Sequence, residues 1–259
     1  MPWKELLQEC SQGHHITQLY QDEAFLIEAA TLFIRSGLQR EEGVVVVATS
    51  AHREAFIRQL EAQGLQPQEA VRRGQFVLLD ARLTLEGFMR DGMPEWTPFY
   101  EAAGGMIDSV RARYPKLRLY GEIVNLLWHE GQRDAALQLE DFWNDMVRMK
   151  EVAIFCSYML DSLSGEAYDG LEAVCRAHTH LIPVRDYARF ESAVSESSNE
   201  VFGRQLARML ESLASAQRPG TQMPPAQAML LWLKRNMPFR ADEVLAQARA
   251  ALARSAPDR

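Results

Sequence analysis

The sequence predicts an α/β protein: a mostly parallel sheet with helices on both faces, followed by a C-terminal helical extension. Two observations carry this. The apolar run Gly43-Val44-Val45-Val46-Val47-Ala48-Thr49 is followed by a helical segment, and the same strand-then-helix rhythm returns at Gly74–Asp80, Leu117–Glu122 and Val152–Tyr158. Strands buried on both faces read as continuous apolar runs, and helices between them make the parallel crossovers. A third observation concerns what is missing: no G-x-x-x-x-G-K-[ST] string occurs anywhere in the chain.

The elements follow in order. Residues 1–13 form an amphipathic lead-in, and His15-Ile16-Thr17-Gln18-Leu19-Tyr20 is the first strand. Phe25, Leu26, Ala29, Ala30, Phe33 and Ile34 share one helical face, with Gly37 as the expected cap. Thr49-Ser50 caps a helix from Ala51 that ends at Gly64, and Pro67 suits the first turn of a short helix to Arg73. Ala81 to Pro98 is irregular, with a turn at Asp91-Gly92-Met93-Pro94 and a lid expected over Asp91–Trp96. Thr97 and Pro98 begin a helix to about Tyr114. Ile123–Trp128 starts another after the strand Leu117–Tyr120, and Ala135 to Met149 is a long one. Gly170–His178 is helical, and His180–Pro183 closes the body as a short strand. Beyond Tyr187 the pattern changes. One helix over Glu196–Gln217 carries a seam of Val201, Phe202, Leu206, Met209, Leu210 and Leu213. A linker from Arg218-Pro219 leads to helices at Ala226–Asn236 and Ala241–Arg254. The domain division expected is 1–190 for the α/β body and 191–259 for the extension.

The charge of −7 over 259 residues is uneven. From Glu196 onward 9 basic residues face 6 acidic ones, whereas the preceding stretch holds 19 against 29. An acidic body argues against direct nucleic-acid binding. No segment approaches a membrane span. Cys10, Cys156 and Cys175 are odd in number and widely spaced, which fits a reducing cytoplasm better than a disulfide framework.

The body resembles the MEDS domain, the sensory domain named for methanogens, methylotrophs and the dichloromethane regulator DcmR, a degenerate relative of RecA/KaiC-like ATPases. The resemblance rests on His14-His15-Ile16, Gln18-Leu19-Tyr20-Gln21-Asp22, Phe25-Leu26, the run Gly43–His52 and Phe88-Met89-Arg90-Asp91-Gly92. It continues through Tyr120-Gly121-Glu122-Ile123-Val124, Leu126-Leu127-Trp128, Phe155-Cys156-Ser157-Tyr158 and Cys175–His180, and covers roughly residues 13–183. It implies a RecA-like three-layer domain that senses small molecules, hydrocarbon derivatives among them, and feeds a transcription regulator or two-component kinase. It places Glu122 where such an ATPase keeps its metal-proximal acid or catalytic base. This chain shows no fused kinase and no convincing DNA-reading domain.

In open α/β sheets ligands bind beyond the carboxyl ends of the strands. The ligand-binding candidates are therefore Tyr20, Gln21, Asp22, Thr49, His52, Asp80, Glu122, Cys156 and Tyr158, joined by Trp128 and His180. Phe88, Met89, Met93, Trp96 and Trp128 either line an apolar pocket or fill a core. Asp22 and Glu23 would oppose a triphosphate. The pairs His14-His15 and His178-x-His180 suit metal geometry only if the first and last strands lie close, and spacing ties no cysteine or carboxylate to them. No metal, cofactor or catalytic residue is assigned. A hydrolase pairing of Cys156 with His178 or His180 lacks a nucleophile elbow. The expectation is a non-catalytic sensory protein that binds a small molecule and signals to a protein partner, a regulator or kinase, or as a homodimer. The alternatives are a divergent nucleotide-binding protein of weak ATPase activity and an interaction module with a vestigial pocket.

Overall fold

The computed structural model describes residues 3–168, 170–216 and 220–254. Met1-Pro2, Asp169, and Gln217 with Arg218-Pro219 of the expected linker lie outside the described residues. The chain divides into two compact units, Met1–Gln18 with Asp22–Met159, and Leu19–Gln21 with Leu160–Arg259.

The first unit runs α1 (Trp3–Gln8), β1 (His15–Tyr20, its end counting with the second unit), α2 (Glu23–Gln39), β2 (Gly43–Ala48), α3 (Ser50–Ala62), α4 (Pro67–Arg72), β3 (Phe76–Asp80), α5 (Ala81–Phe88), β4 (Met89–Arg90), β5 (Met93–Pro94), α6 (Trp96–Arg111), β6 (Leu117–Gly121), α7 (Ile123–His129), α8 (Arg133–Lys150) and β7 (Ala153–Met159). The second continues with a 3-10 turn at Gly165–Tyr168, α9 (Leu171–Ala177), β8 (His180–Ile182), α10 (Tyr187–Phe202), α11 (Arg204–Ala216), α12 (Pro225–Asn236) and α13 (Pro238–Arg254).

Within the first unit the sheet order is β3-β2-β6-β7-β1, with β2 parallel to β3 and β6, and β6 parallel to β7. The α/β class expected from the apolar runs is what the chain adopts, in an arrangement consistent with three RecA-like layers. β2 sits in the middle of the register: Val46 pairs with Leu78 on one side and Tyr120 on the other. Every residue of β2 is buried, which is why it is Val-rich rather than alternating.

Behind the sheet, Arg118 of β6 is fully buried. Its guanidinium donates from Nε to Glu42, and to the carbonyls of Leu7 at 2.6 Å and Gln8 at 2.9 Å, while it lies 5.2 Å from the Phe33 ring centroid. Desolvating a guanidinium is tolerated only with this degree of pairing. Gly37 corrects an expectation. It is not the cap of α2, which runs on to Gln39, but the point where α2 approaches the sheet. A Cβ there would lie 2.7 Å from Val44 and 2.9 Å from Arg118.

Further corrections concern Ala81–Pro98. It is regular where irregularity was expected: Asp80 caps helix α5, and Met89–Pro94 folds into a small antiparallel hairpin. Its turn is Asp91-Gly92, both with positive φ, the conformation tight hairpins require. α6 starts at Trp96, one residue before the expected Thr97 cap. In the second unit the helix expected over Glu196–Gln217 is broken at Gly203, whose φ of 77° ends α10 and lets α11 restart. Of the expected seam, Leu210 is buried, whereas Leu206, Met209 and Leu213 are exposed on α11. The interior of this unit is filled by Phe190, Val194, Leu230, Leu233, Val244 and Leu245. Among the described residues no helix is long and apolar enough to cross a membrane.

Candidate functional site

Chain direction diverges in the sheet between β2 and β6. After β2 the chain moves outward to its neighbour β3; after β6 it moves the other way, to β7. Two loops leaving adjacent strands in opposite directions open a crevice at the strands' carboxyl ends. The backbone amide of Glu122 donates to the Val47 carbonyl at 3.1 Å, so Glu122 is fixed at the mouth of this crevice.

Its carboxylate spans the gap. Oε1 accepts from the backbone amide of Thr49, the residue at the start of α3, and Oε2 lies 2.6 Å from Nδ1 of His52 in the first turn. Thr49 makes no side-chain cap, and Glu122, from the end of a different strand, accepts from the N-cap amide as the acid of a capping box does. Negative charge is favoured at this helix end. Glu122 is 1% exposed and the His52 side chain 14%. The hydrogen bond to Glu122 raises the His52 pKa above its ordinary 6.5, against the opposing pull of burial, so the imidazolium is favoured. Next to this pair, Arg53 ties two strand ends together, reaching the Ala48 carbonyl and the Asp80 carboxylate at 3.0 Å each. Asp80 also accepts from the amides of Arg82 and Leu83, and these contacts, the Leu83 amide first, lower its pKa.

The crevice is shut. The void beneath it, bounded by Val47, Gly121, Ile123, Trp143, Ile154 and Cys156, holds only about 10 Å³, roughly the room for one water. Larger clefts exist, such as one of about 520 Å³ among Glu191, Asn199, Arg208 and Met229 of the second unit. None of the predicted site residues lines that cleft.

Of the predicted residues, the fold brings Thr49, His52 and Glu122 together and puts Asp80 beside them through Arg53. Asp22 is used as the cap of α2, accepting from the Ala24 amide at 2.8 Å. Tyr20 and Gln21 count with the second unit, as does His180, whose Nδ1 lies 2.9 Å from the Thr179 hydroxyl oxygen and whose backbone bridges to Gln222. The aromatic residues near the hairpin fill a core: Phe88 and Trp96 pack on Phe99, and Trp96 also on Phe142. Trp128 packs edge-on against Tyr158, with Arg133 over its ring.

Cys156 and Tyr158 take part in a separate, dry cluster. They share one face of β7, opposite α8. There Tyr158 donates its hydroxyl to Glu140, and His15 Nε2 lies 3.4 Å from Cys156 Sγ and 3.3 Å from Glu140 Oε2. Asn144 Oδ1 is 2.9 Å from His15 Nδ1. His15, Glu140 and Cys156 are each 1% exposed or less. Burial pushes the Glu140 carboxyl up, and pushes the Cys156 thiol well up, so this is not a thiolate nucleophile. Sequence reading missed Glu140 and Asn144. One signal was available: Glu140 stands on the apolar stripe of α8 with Ala136, Leu139 and Trp143, where a carboxylate needs a reason.

The family model of the MEDS domain, described as the methanogen/methylotroph, DcmR sensory domain, matches residues 14–179. No curated protein matches the chain. With well over half its length matched, the chain belongs to the MEDS family, a family of sensory domains.

Proposed function

We propose that this chain is a non-catalytic sensor whose small-molecule ligand enters the β2/β6 crevice by displacing the Glu122 carboxylate from the start of α3. The observation that supports this reading most is the position of Glu122. It stands at the topological divergence of the sheet and engages both the first amide of α3 and the first-turn His52. Both its oxygens are occupied by the protein, so it acts as a movable plug rather than as a base held ready for a substrate. The ligand chemistry that competes with it combines an acceptor group for the Thr49 amide and imidazolium with an apolar part for the walls of Val47, Ile123 and Ile154. Small hydrocarbon derivatives with one polar end have that form.

Signalling follows from population shift. The shut crevice has no room for a ligand, so binding selects an open state of α3 against α7 and is weakened by the cost of opening. The output surface in this reading is α11, with Leu206, Met209 and Leu213 outward, contacting a protein partner or a second copy. Triphosphate binding is disfavoured because the Asp22 carboxylate takes the Ala24 amide and sets a negative charge at the start of α2, where a phosphate would sit.

The test is a thermal-shift screen of the full chain against small hydrocarbon derivatives and against ATP with magnesium. Stabilisation follows the ratio of ligand concentration to dissociation constant. A rise in Tm from a hydrocarbon derivative, larger in Glu122→Ala, where the competing carboxylate is gone, and reduced in His52→Ala, supports the reading. A rise from ATP with magnesium, accompanied by hydrolysis, overturns it.

A further inference from the structure

We propose that His15, Glu140 and Cys156 form a binding site for a zinc-class divalent cation inside the first unit, distinct from the Glu122–His52 pair. The donor set consists of one imidazole nitrogen, one carboxylate oxygen and one sulfur, brought from β1, α8 and β7. The donor atoms lie within 4.8 Å of one another. Their closer separations, 3.3 Å from His15 to Glu140 and 3.4 Å from His15 to Cys156, have the scale a tetrahedral ion sets. Bonds of about 2.0–2.3 Å at tetrahedral angles hold neighbouring donors about 3.3–3.6 Å apart. A mixed N, O, S set favours zinc and its analogues over magnesium or calcium, which take oxygen alone.

The surroundings are those of a prepared ligand set. With Asn144 Oδ1 as acceptor, His15 donates from Nδ1 and directs the Nε2 lone pair at the other two donors. Tyr158 fixes the orientation of the Glu140 carboxylate through its other oxygen. The charge count also fits. A thiolate and a carboxylate together neutralise a divalent cation, which an enclosed cluster requires. In the metal-free chain, burial favours the protonated forms of Cys156 and Glu140. Binding therefore breaks one S–H and one O–H bond, forms metal–sulfur and metal–oxygen bonds, and sends the protons to solvent; neither ligand nor metal changes oxidation state.

Cobalt(II) titration of the full chain, after chelator treatment and under reducing conditions, tests this. Cobalt(II) is the probe because thiolate ligation gives it a charge-transfer band in the near ultraviolet. Saturation near one ion per chain is expected, with the band kept in Cys10→Ser and Cys175→Ser and lost in Cys156→Ser. Asn144→Ala, at a half-buried position, should weaken cobalt binding about 10- to 100-fold. Absence of the band in the unmutated chain, or its survival in Cys156→Ser, overturns the proposal. Should Cys156→Ser fail to fold, Asn144→Ala decides: unchanged affinity overturns the proposal and a weakened one supports it.

Discussion

Two places in the first unit pair a histidine with a glutamate, and their surroundings give the pairs different chemistry. At the strand ends, Glu122 accepts from the N-cap amide of α3 and meets a partly exposed imidazole, and its hydrogen bond raises the His52 pKa. On the face of β7 toward α8, His15 and Glu140 share an enclosed cluster with the Cys156 thiol. Burial there works against charge on the acid. The same residue types thus make a charged pair at the strand ends and a buried cluster against α8. The lesson is that enclosure and neighbouring dipoles, not residue identity, assign the role.

The largest expected effect separates the two by stability. Glu140→Ala leaves a cavity and removes an acceptor of the Tyr158 hydroxyl and should cost about 3 kcal/mol in urea unfolding. Glu122→Ala removes a helix-end interaction that water can partly replace and should cost about 1 kcal/mol. Equal costs would break the comparison. Asp80→Ala, which removes the cap of α5 and the partner of Arg53, should fall at or just below the Glu122 variant by the same measurement.

A smaller effect tests the sign of the electrostatics. The folded-state pKa of His52 is raised above 6.5, so the folded chain holds that proton more tightly than the unfolded chain. Its stabilising contribution is complete below about pH 6.5 and is lost as pH rises through the raised value. Unfolding across pH 6 to 9 should show this decline in the unmutated chain and a flatter profile in His52→Gln. An unchanged profile in the variant would place the titration elsewhere.

Much of the frame was legible in the residues. The Val-rich run of β2 announces a strand buried on both faces, and the residue after β6 was a natural site position because open sheets bind at strand ends. The pairing of Glu122 with His52 was not legible: 70 residues separate them, and only the order of strands in the sheet makes β2 and β6 neighbours. Cys156 and Tyr158 were picked for the strand end but face α8, since alternation along β7 settles their side only once the neighbouring helix is placed. The helix break at Gly203 was hidden because the apolar spacing continues across it while the backbone turns. Asp80 looked like a ligand-binding acid; the carboxylate after a strand can equally cap the next helix, and here it does.

The central claim is that a ligand reaches the β2/β6 crevice by taking the place of the Glu122 carboxylate. Backbone amide NMR of the full chain, titrated with a hydrocarbon derivative that raises Tm, tests it directly. The account predicts that the amides of Thr49, His52 and Glu122 move first and most, as the Thr49 hydrogen bond changes acceptor. Shifts confined to the second unit, with Thr49 and Glu122 unmoved at saturation, would contradict it.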